Sequence, residues 1–241
     1  ALNLAIEYCG SWVHNTTKAP FGGQPKDKWY HYDKWKTCRD NGVTLLTIYD
    51  FEWMTSREKW EAVICHKLQK ADRRVYARKC KIVPVEREVA RAFCREHHIE
   101  GVGGMWLRTS ECRGLEYQGE LVAISVCEEG DIKRSCTKSG VAVIGGVSKL
   151  FKSFPAGTTM MTTNNTSSSG NYGTLVEKKT LRYWWVKLGA EPKAYPRRQC
   201  QKHMLEKRFG QPVGDKTERQ YMEDLGFVRC YDAGLSYWVN G

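Results

Sequence analysis

The segment Tyr30-His31-Tyr32-Asp33-Lys34 places an imidazole and an ammonium group one helical turn apart, ahead of an apolar run at 43–49 that leads to Glu52-Trp53. Upstream, Leu2-Asn3-Leu4-Ala5-Ile6-Glu7-Tyr8 alternates with period two and carries an acid near its end, with His14 shortly after. Carboxylates at neighbouring strand ends, with His and Lys on a flanking helix, suit metal-assisted phosphodiester cleavage. In that chemistry Glu7 ligates the metal, and His31 positions or activates the attacking water. Lys34, on the same helix face as His31, stabilises the charge developing on phosphorus. His14 protonates the leaving 3′-oxygen or adds a ligand. Glu52 either joins the site or complements the start of the next helix. A carboxylate-rich donor set selects Mg2+ or Mn2+ over Zn2+.

The elements that must hold these groups are legible from periodicity. Residues 2–8 alternate as a strand, with Glu7 opposite the large apolar side chains. A Gly/Pro-containing loop at 9–28 precedes a helix from Asp27 to about Asp40, closed by Asn41-Gly42. Residues 43–49 form a buried strand, and Thr55-Ser56-Arg57-Glu58 reads as a capping box opening a helix through Trp60, Val63, Ile64, Lys67 and Leu68. This predicts an α/β unit over 1–72. Residues 73–241 read as a second, α+β domain. Strands are expected at 75–83, 104–109, 120–127, 160–164 and 237–239. Helices are expected at 86–97, with Val89, Ala90, Phe93, Cys94 and His97 on one face, after Gly145-Gly146, at 198–209 and at 216–225.

Charge divides at the same point. The chain carries 38 Lys/Arg and 27 Asp/Glu, a net +11, and has a pI near 9.2. Residues 1–72 hold 10 Lys/Arg and 9 Asp/Glu, so nearly all the excess follows residue 72. A basic module beside a nearly neutral one suits a polyanion partner, here double-stranded DNA. Its candidate contacts are Arg73, Arg74, Arg78 and Lys79 at the domain junction, and Arg197, Arg198 and Lys202 on the later basic helix. Ser148 and Lys149 follow the Gly-Gly turn, where a helix N-terminus suits phosphate. The ten cysteines form no close pair of zinc-finger spacing. Cys65, Cys94 and Cys127 sit at apolar positions as reduced core residues. No signal peptide or membrane-spanning stretch is evident, which predicts a cytoplasmic protein.

The ordered motifs resemble the phage EDxHD homing endonucleases, a branch of the PD-(D/E)xK nucleases related to very short patch repair endonucleases. The resemblance rests on Ile6-Glu7-Tyr8-Cys9-Gly10, Trp12-Val13-His14, Tyr30-His31-Tyr32-Asp33-Lys34 and Gly42 through Glu52-Trp53. It continues through Tyr76-Ala77-Arg78-Lys79-Cys80, His98-Ile99-Glu100-Gly101, Leu121-Val122-Ala123, Gly145 to Leu150, Gln201-Lys202, Thr217-Glu218 and Tyr231-Asp232-Ala233-Gly234. It implies a PD-(D/E)xK-like core, a DNA-recognition domain, a divalent metal and a phage-encoded enzyme working in the bacterial cytoplasm. A double-strand cut would further require two active sites, as in a homodimer. The pattern's metal-binding Asp on a preceding strand has no counterpart in residues 1–241. The resemblance therefore implies either a fragment of the enzyme or a DNA-binding or structural derivative impaired in cleavage. The strand–Gly-Gly–helix order of 120–165 also resembles an N-acetyltransferase-like architecture, which keeps a transferase among the alternatives.

Overall fold

A computed structural model describes residues 2–17, 23–102, 110–165 and 172–241. The chain is mixed α/β and forms two compact units that differ from the contiguous segments 1–72 and 73–241. One unit comprises Asn3–Thr55 with Lys179–Leu235; the other comprises Ser56–Lys178 with Ser236–Gly241.

The first unit opens with a βαβ segment. Strand β1 (Leu4–Cys9) pairs in parallel with β2 (Thr44–Tyr49) across helix α1 (Tyr30–Asp40), and Glu7 lies opposite Thr47. The crossover helix makes parallel pairing possible for strands so close in sequence. The buried face of β1 is the one with small side chains: Cys9 is fully buried and Ala5 packs with Trp35, Leu45 and Ala233, whereas Ile6 is 47% and Tyr8 59% exposed. Alternation thus located the strand, but size did not identify its inner face. Helix α1 starts three residues later than expected, because the Asp27 side chain accepts from Trp29 N at 2.8 Å in a turn ahead of it.

The same unit is completed by a three-stranded antiparallel sheet in which β11 (Tyr183–Lys187) lies between β12 (Lys193–Pro196) and β13 (Phe227–Tyr231). Cys9, Tyr49 and Phe51 pack with Val186, Val228 and Cys230 in one core. Trp185, Leu205, Tyr221 and Met222 form a second, covered by α5 (Lys202–Phe209) and α6 (Glu218–Asp224). Each large side chain so buried contributes roughly 1.5–3 kcal/mol. The expected single helix at 198–209 is instead a 3-10 turn, Arg197–Gln199, followed by α5.

Helix α2 (Asp50–Lys67) begins directly after β2 and bends at Ser56, whose φ of −144° is not helical. The expected capping box does not form: the Thr55 hydroxyl donates to Phe51 O at 2.8 Å. The helix start is served by Asp50 and Glu52, which accept from Phe51 N and Tyr49 N.

In the second unit, β3 (Arg73–Tyr76) pairs in parallel with β8 (Val141–Ile144). The expected strand at 75–83 is broken by the 3-10 turn Ala77–Lys79 before β4 (Lys81–Pro84). The large sheet has the order β10-β14-β9-β7-β6-β5-β4. Its antiparallel run is β4, β5 (Glu111–Tyr117), β6 (Glu120–Glu128) and β7 (Asp131–Thr137). Strand β7 pairs in parallel with β9 (Thr159–Thr163), which follows α4 (Gly146–Ser153). Beyond it lie β14 (Leu235–Val239) and β10 (Thr174–Thr180). Helix α3 (Arg87–His97) buries Ala90, Phe93 and Cys94 against Cys112, Ile124 and Val126, while Val89 is exposed. Cys65 is also exposed, unlike Cys94 and Cys127. The expected strand at 104–109 lies outside the described residues. No helix among the described residues is long and apolar enough to cross a membrane.

Candidate active site

Glu7 reaches the site because i, i+2 alternation turns it to the same side of β1 as buried Cys9. After Cys9 the chain turns at Gly10, whose carbonyl accepts from Val13 N and His14 N. Asp50 pins this turn by accepting from both the amide and the hydroxyl of Ser11, at 2.8 and 2.9 Å. Buried Asn15 ties it further by donating to the carbonyls of Ser11 and Trp12. The Tyr49 hydroxyl lies 3.1 Å from His14 O and 2.8 Å from Tyr231 O. His14 is thereby held over the first turn of α1.

Four of the five residues expected to do chemistry converge here. Lys34 Nζ donates to Glu7 Oε1 at 2.7 Å, His31 Nδ1 lies 3.9 Å from Glu7 Oε2, and His14 Nδ1 lies 3.3 Å from His31 Nε2. Neither Glu7 Oε2 nor His31 Nδ1, both buried, has a hydrogen-bond partner among the described residues. Glu52 lies at the start of α2, where its carboxylate accepts from Tyr49 N at 3.1 Å.

The electrostatics follow from burial. His31 is 3% exposed, with the rings of Tyr30, Tyr49 and His14 around it. Burial pushes its imidazole down to about 3, and the charges of His14, Lys34 and Lys26 act in the same direction. Burial also lowers His14, opposed by the Glu7 carboxylate. The hydrogen bond to Glu7 holds Lys34 above the ordinary lysine range. Burial, reinforced by Glu7, raises the Cys9 thiol. His31 is therefore neutral at pH 7, and the site presents an ion pair beside two uncharged imidazoles.

Two residues here were not expected. Cys9 brings its sulfur within 4.8 Å of a ring nitrogen on each of His14 and His31. Its position two residues after Glu7 was the available signal. Asp50 had none, because its role depends on the 10–15 turn folding over it.

The candidate DNA contacts are divided between the units. Arg197, Arg198 and Lys202 are exposed and belong to the unit that holds Glu7 and the histidines. Residues 179–235 carry 12 Lys/Arg against 7 Asp/Glu, so a basic segment completes the site-bearing unit. In the other unit, Arg73 pairs with Glu120. Arg74, Arg78 and Lys79 are exposed, and Arg78 lies 5.1 Å from the Tyr76 ring centroid. Ser148 lies in the first turn of α4. Lys149 departs from its expected role: its ammonium closes the 3-10 turn by donating to Ala77 O at 2.9 Å and Cys80 O at 2.6 Å.

Comparison with protein-family models, curated proteins and solved structures finds no match.

Proposed function

We propose that the chain is a metal-dependent DNA endonuclease of homing type, hydrolysing phosphodiester bonds at a specific site in double-stranded DNA. The observation that carries this reading is the convergence of Glu7, Lys34, His31 and His14 at the end of β1. Mg2+ or Mn2+ binds through one or two carboxylates together with water and substrate phosphate, and Glu7 Oε2 is the oxygen that would hold it. Bound there, the ion would supply Lewis-acid stabilisation of the phosphoryl oxygens. Lys34 sets a fixed positive charge beside that position for the charge developing at phosphorus. His31, neutral with a depressed pKa, is a weak base and orients water through its ring nitrogens. His14 is only half-buried and has the Glu7 carboxylate opposing its shift; it is the better base and takes the proton of the attacking water.

In this reading the β1–α1–β2 segment is the PD-(D/E)xK-like core of the site-bearing unit, and exposed basic residues of both units, Arg197 and Arg198 in this one and Arg74, Arg78 and Lys79 in the other, supply DNA recognition. The antiparallel β4–β7 run followed by parallel β9 after α4 supports an N-acetyltransferase-like architecture for the second unit. Fold analogy does not bring acetyl transfer with it. The setting is the cytoplasm of a phage-infected bacterium, and double-strand cleavage would use a homodimer.

Supercoiled plasmid with Mg2+ tests the reading. Nicking or linearisation that Glu7→Ala abolishes is expected; cleavage that survives Glu7→Ala would overturn it. A second reading, DNA binding without cleavage, is favoured by one observation: Asp50, a second acid at this end of the sheet, has Oδ2 occupied by Ser11. Salt-sensitive DNA binding with no cutting would select that reading.

A further inference from the structure

We propose that Cys9, His14 and His31 form a binding site for a borderline divalent metal of the Zn2+ class, distinct in donor chemistry from a Mg2+ site on the Glu7 carboxylate. One thiol and two imidazoles, with ligating atoms within 4.8 Å of one another, come from the end of β1, the turn after it and the first turn of α1. Thiolate and imidazole favour zinc-like ions, and carboxylate favours magnesium. The 3.3 Å between His14 Nδ1 and His31 Nε2 matches the edge of about 3.3 Å that a tetrahedral ion spans with metal–nitrogen bonds of about 2.0–2.1 Å. His31 turns its other nitrogen toward Glu7 Oε2, and a carboxylate behind a ligating imidazole is the usual way such rings are fixed. Three protein ligands leave a fourth position for water. Burial of Cys9 and His31 excludes competing solvent.

A metal held there occupies both imidazoles. Resting on the endonuclease reading, it follows that a zinc-class ion switches hydrolysis off while Mg2+ supports it.

The test is a Co2+ titration of the full chain followed by visible absorption, with Cys9→Ser and His31→Gln alongside and melting curves confirming that each variant is folded. One equivalent of Co2+ is expected to give a thiolate charge-transfer band that Zn2+ displaces. Both variants are expected to lose the band, although Cys38 and Cys65 remain accessible in them. Absence of the band, or its persistence in folded Cys9→Ser, overturns the site. Plasmid cleavage with Mg2+, with and without one equivalent of Zn2+, reads the switch as a ratio within each protein. A large fall is expected for the native chain and a ratio near one for Cys9→Ser; equal inhibition of both overturns the switch. A Cys9-dependent cobalt band in a chain that never cuts would retain the metal site and remove the endonuclease reading. Cutting without such a band would do the reverse.

Discussion

Lys34 and Glu7 form a 2.7 Å ion pair between α1 and β1, and it occupies only one of the two carboxylate oxygens. The lysine neutralises the acid while leaving Oε2 available toward His31. Replacing Lys34 with Met removes the fixed cation but retains the aliphatic stem. Single-turnover nicking should slow by roughly 10²-fold or more, with Lys34→Arg recovering part of the loss. An unchanged rate in Lys34→Met would remove the lysine from the chemistry.

Stability should fall in acid. The unfolded His31 side chain takes up a proton near its ordinary 6.5, whereas the folded one resists until about 3. Between these values the unfolded state binds more protons, so stability is complete above about 6.5 and declines as the pH falls toward 3. The loss from this residue is on the order of a few kcal/mol. His14, His66 and His97 are lowered by burial and act in the same direction. Urea unfolding of His31→Gln should show a shallower pH dependence across that window; an equally steep curve would contradict the assignment.

The Tyr49 hydroxyl ties together two chain segments far apart in sequence, at His14 O and Tyr231 O. Tyr49→Phe preserves the ring stacked on Phe51 and leaves buried carbonyls without that donor. A cost of about 1–3 kcal/mol is expected, measured by chemical denaturation. A slower His14-dependent cleavage step should accompany it, because the carbonyl it holds belongs to that histidine. A variant as stable as the native chain would show that water replaces the bond.

Arg197 and Arg198 are exposed at the 3-10 turn of the site-bearing unit. If they meet DNA phosphates, each substitution by Ala should weaken binding across sequences and reduce the slope of log affinity against log salt by about 1. Lys149→Met should instead act on stability, since its ammonium is committed to two carbonyls. A reduced salt slope in Lys149→Met, with Arg197→Ala and Arg198→Ala unchanged, would reverse this assignment.

Gly114 tests packing in the second unit. A Cβ there would meet the Leu121 side chain and come within 2.7 Å of Val85 Cγ2. Gly114→Ala should destabilise by about 1–3 kcal/mol through overpacking, visible as a lowered melting temperature. An unaltered melt would mean that the Leu121 and Val85 side chains yield freely.

Much of the site-bearing βαβ segment was legible because its signals are local. Alternation marked β1, an apolar run marked β2, and the His31–Lys34 spacing placed both side chains over Glu7. The inner face of β1 was not legible from size, since small Ala5 and Cys9 point inward where α1 and the site leave little room. Strands β11 and β13 were missed for a different reason. Tyr183-Trp184-Trp185-Val186-Lys187 and Phe227-Val228-Arg229-Cys230-Tyr231 show no clean alternation, and they pair across some forty residues of intervening chain. The same return of residues 179–235 hid the division into units. Lys149 looked like a phosphate ligand because its partners are backbone carbonyls, whose positions depend on the turn before β4.

Splitting the site-bearing unit across the sequence has a consequence for synthesis. Residues up to Thr55 leave the ribosome well before Lys179–Leu235, which complete their core. At ordinary elongation rates the interval is about ten seconds. Throughout it, the segment bearing Glu7, His14, His31 and Lys34 lacks the packing of Val186, Val228 and Cys230 and the Tyr231 carbonyl. An interrupted translation product would thus release the acidic and basic groups without the scaffold that aligns them. If the chain cuts DNA as proposed, nascent chains would be harmless to it until the last strands of this unit emerge.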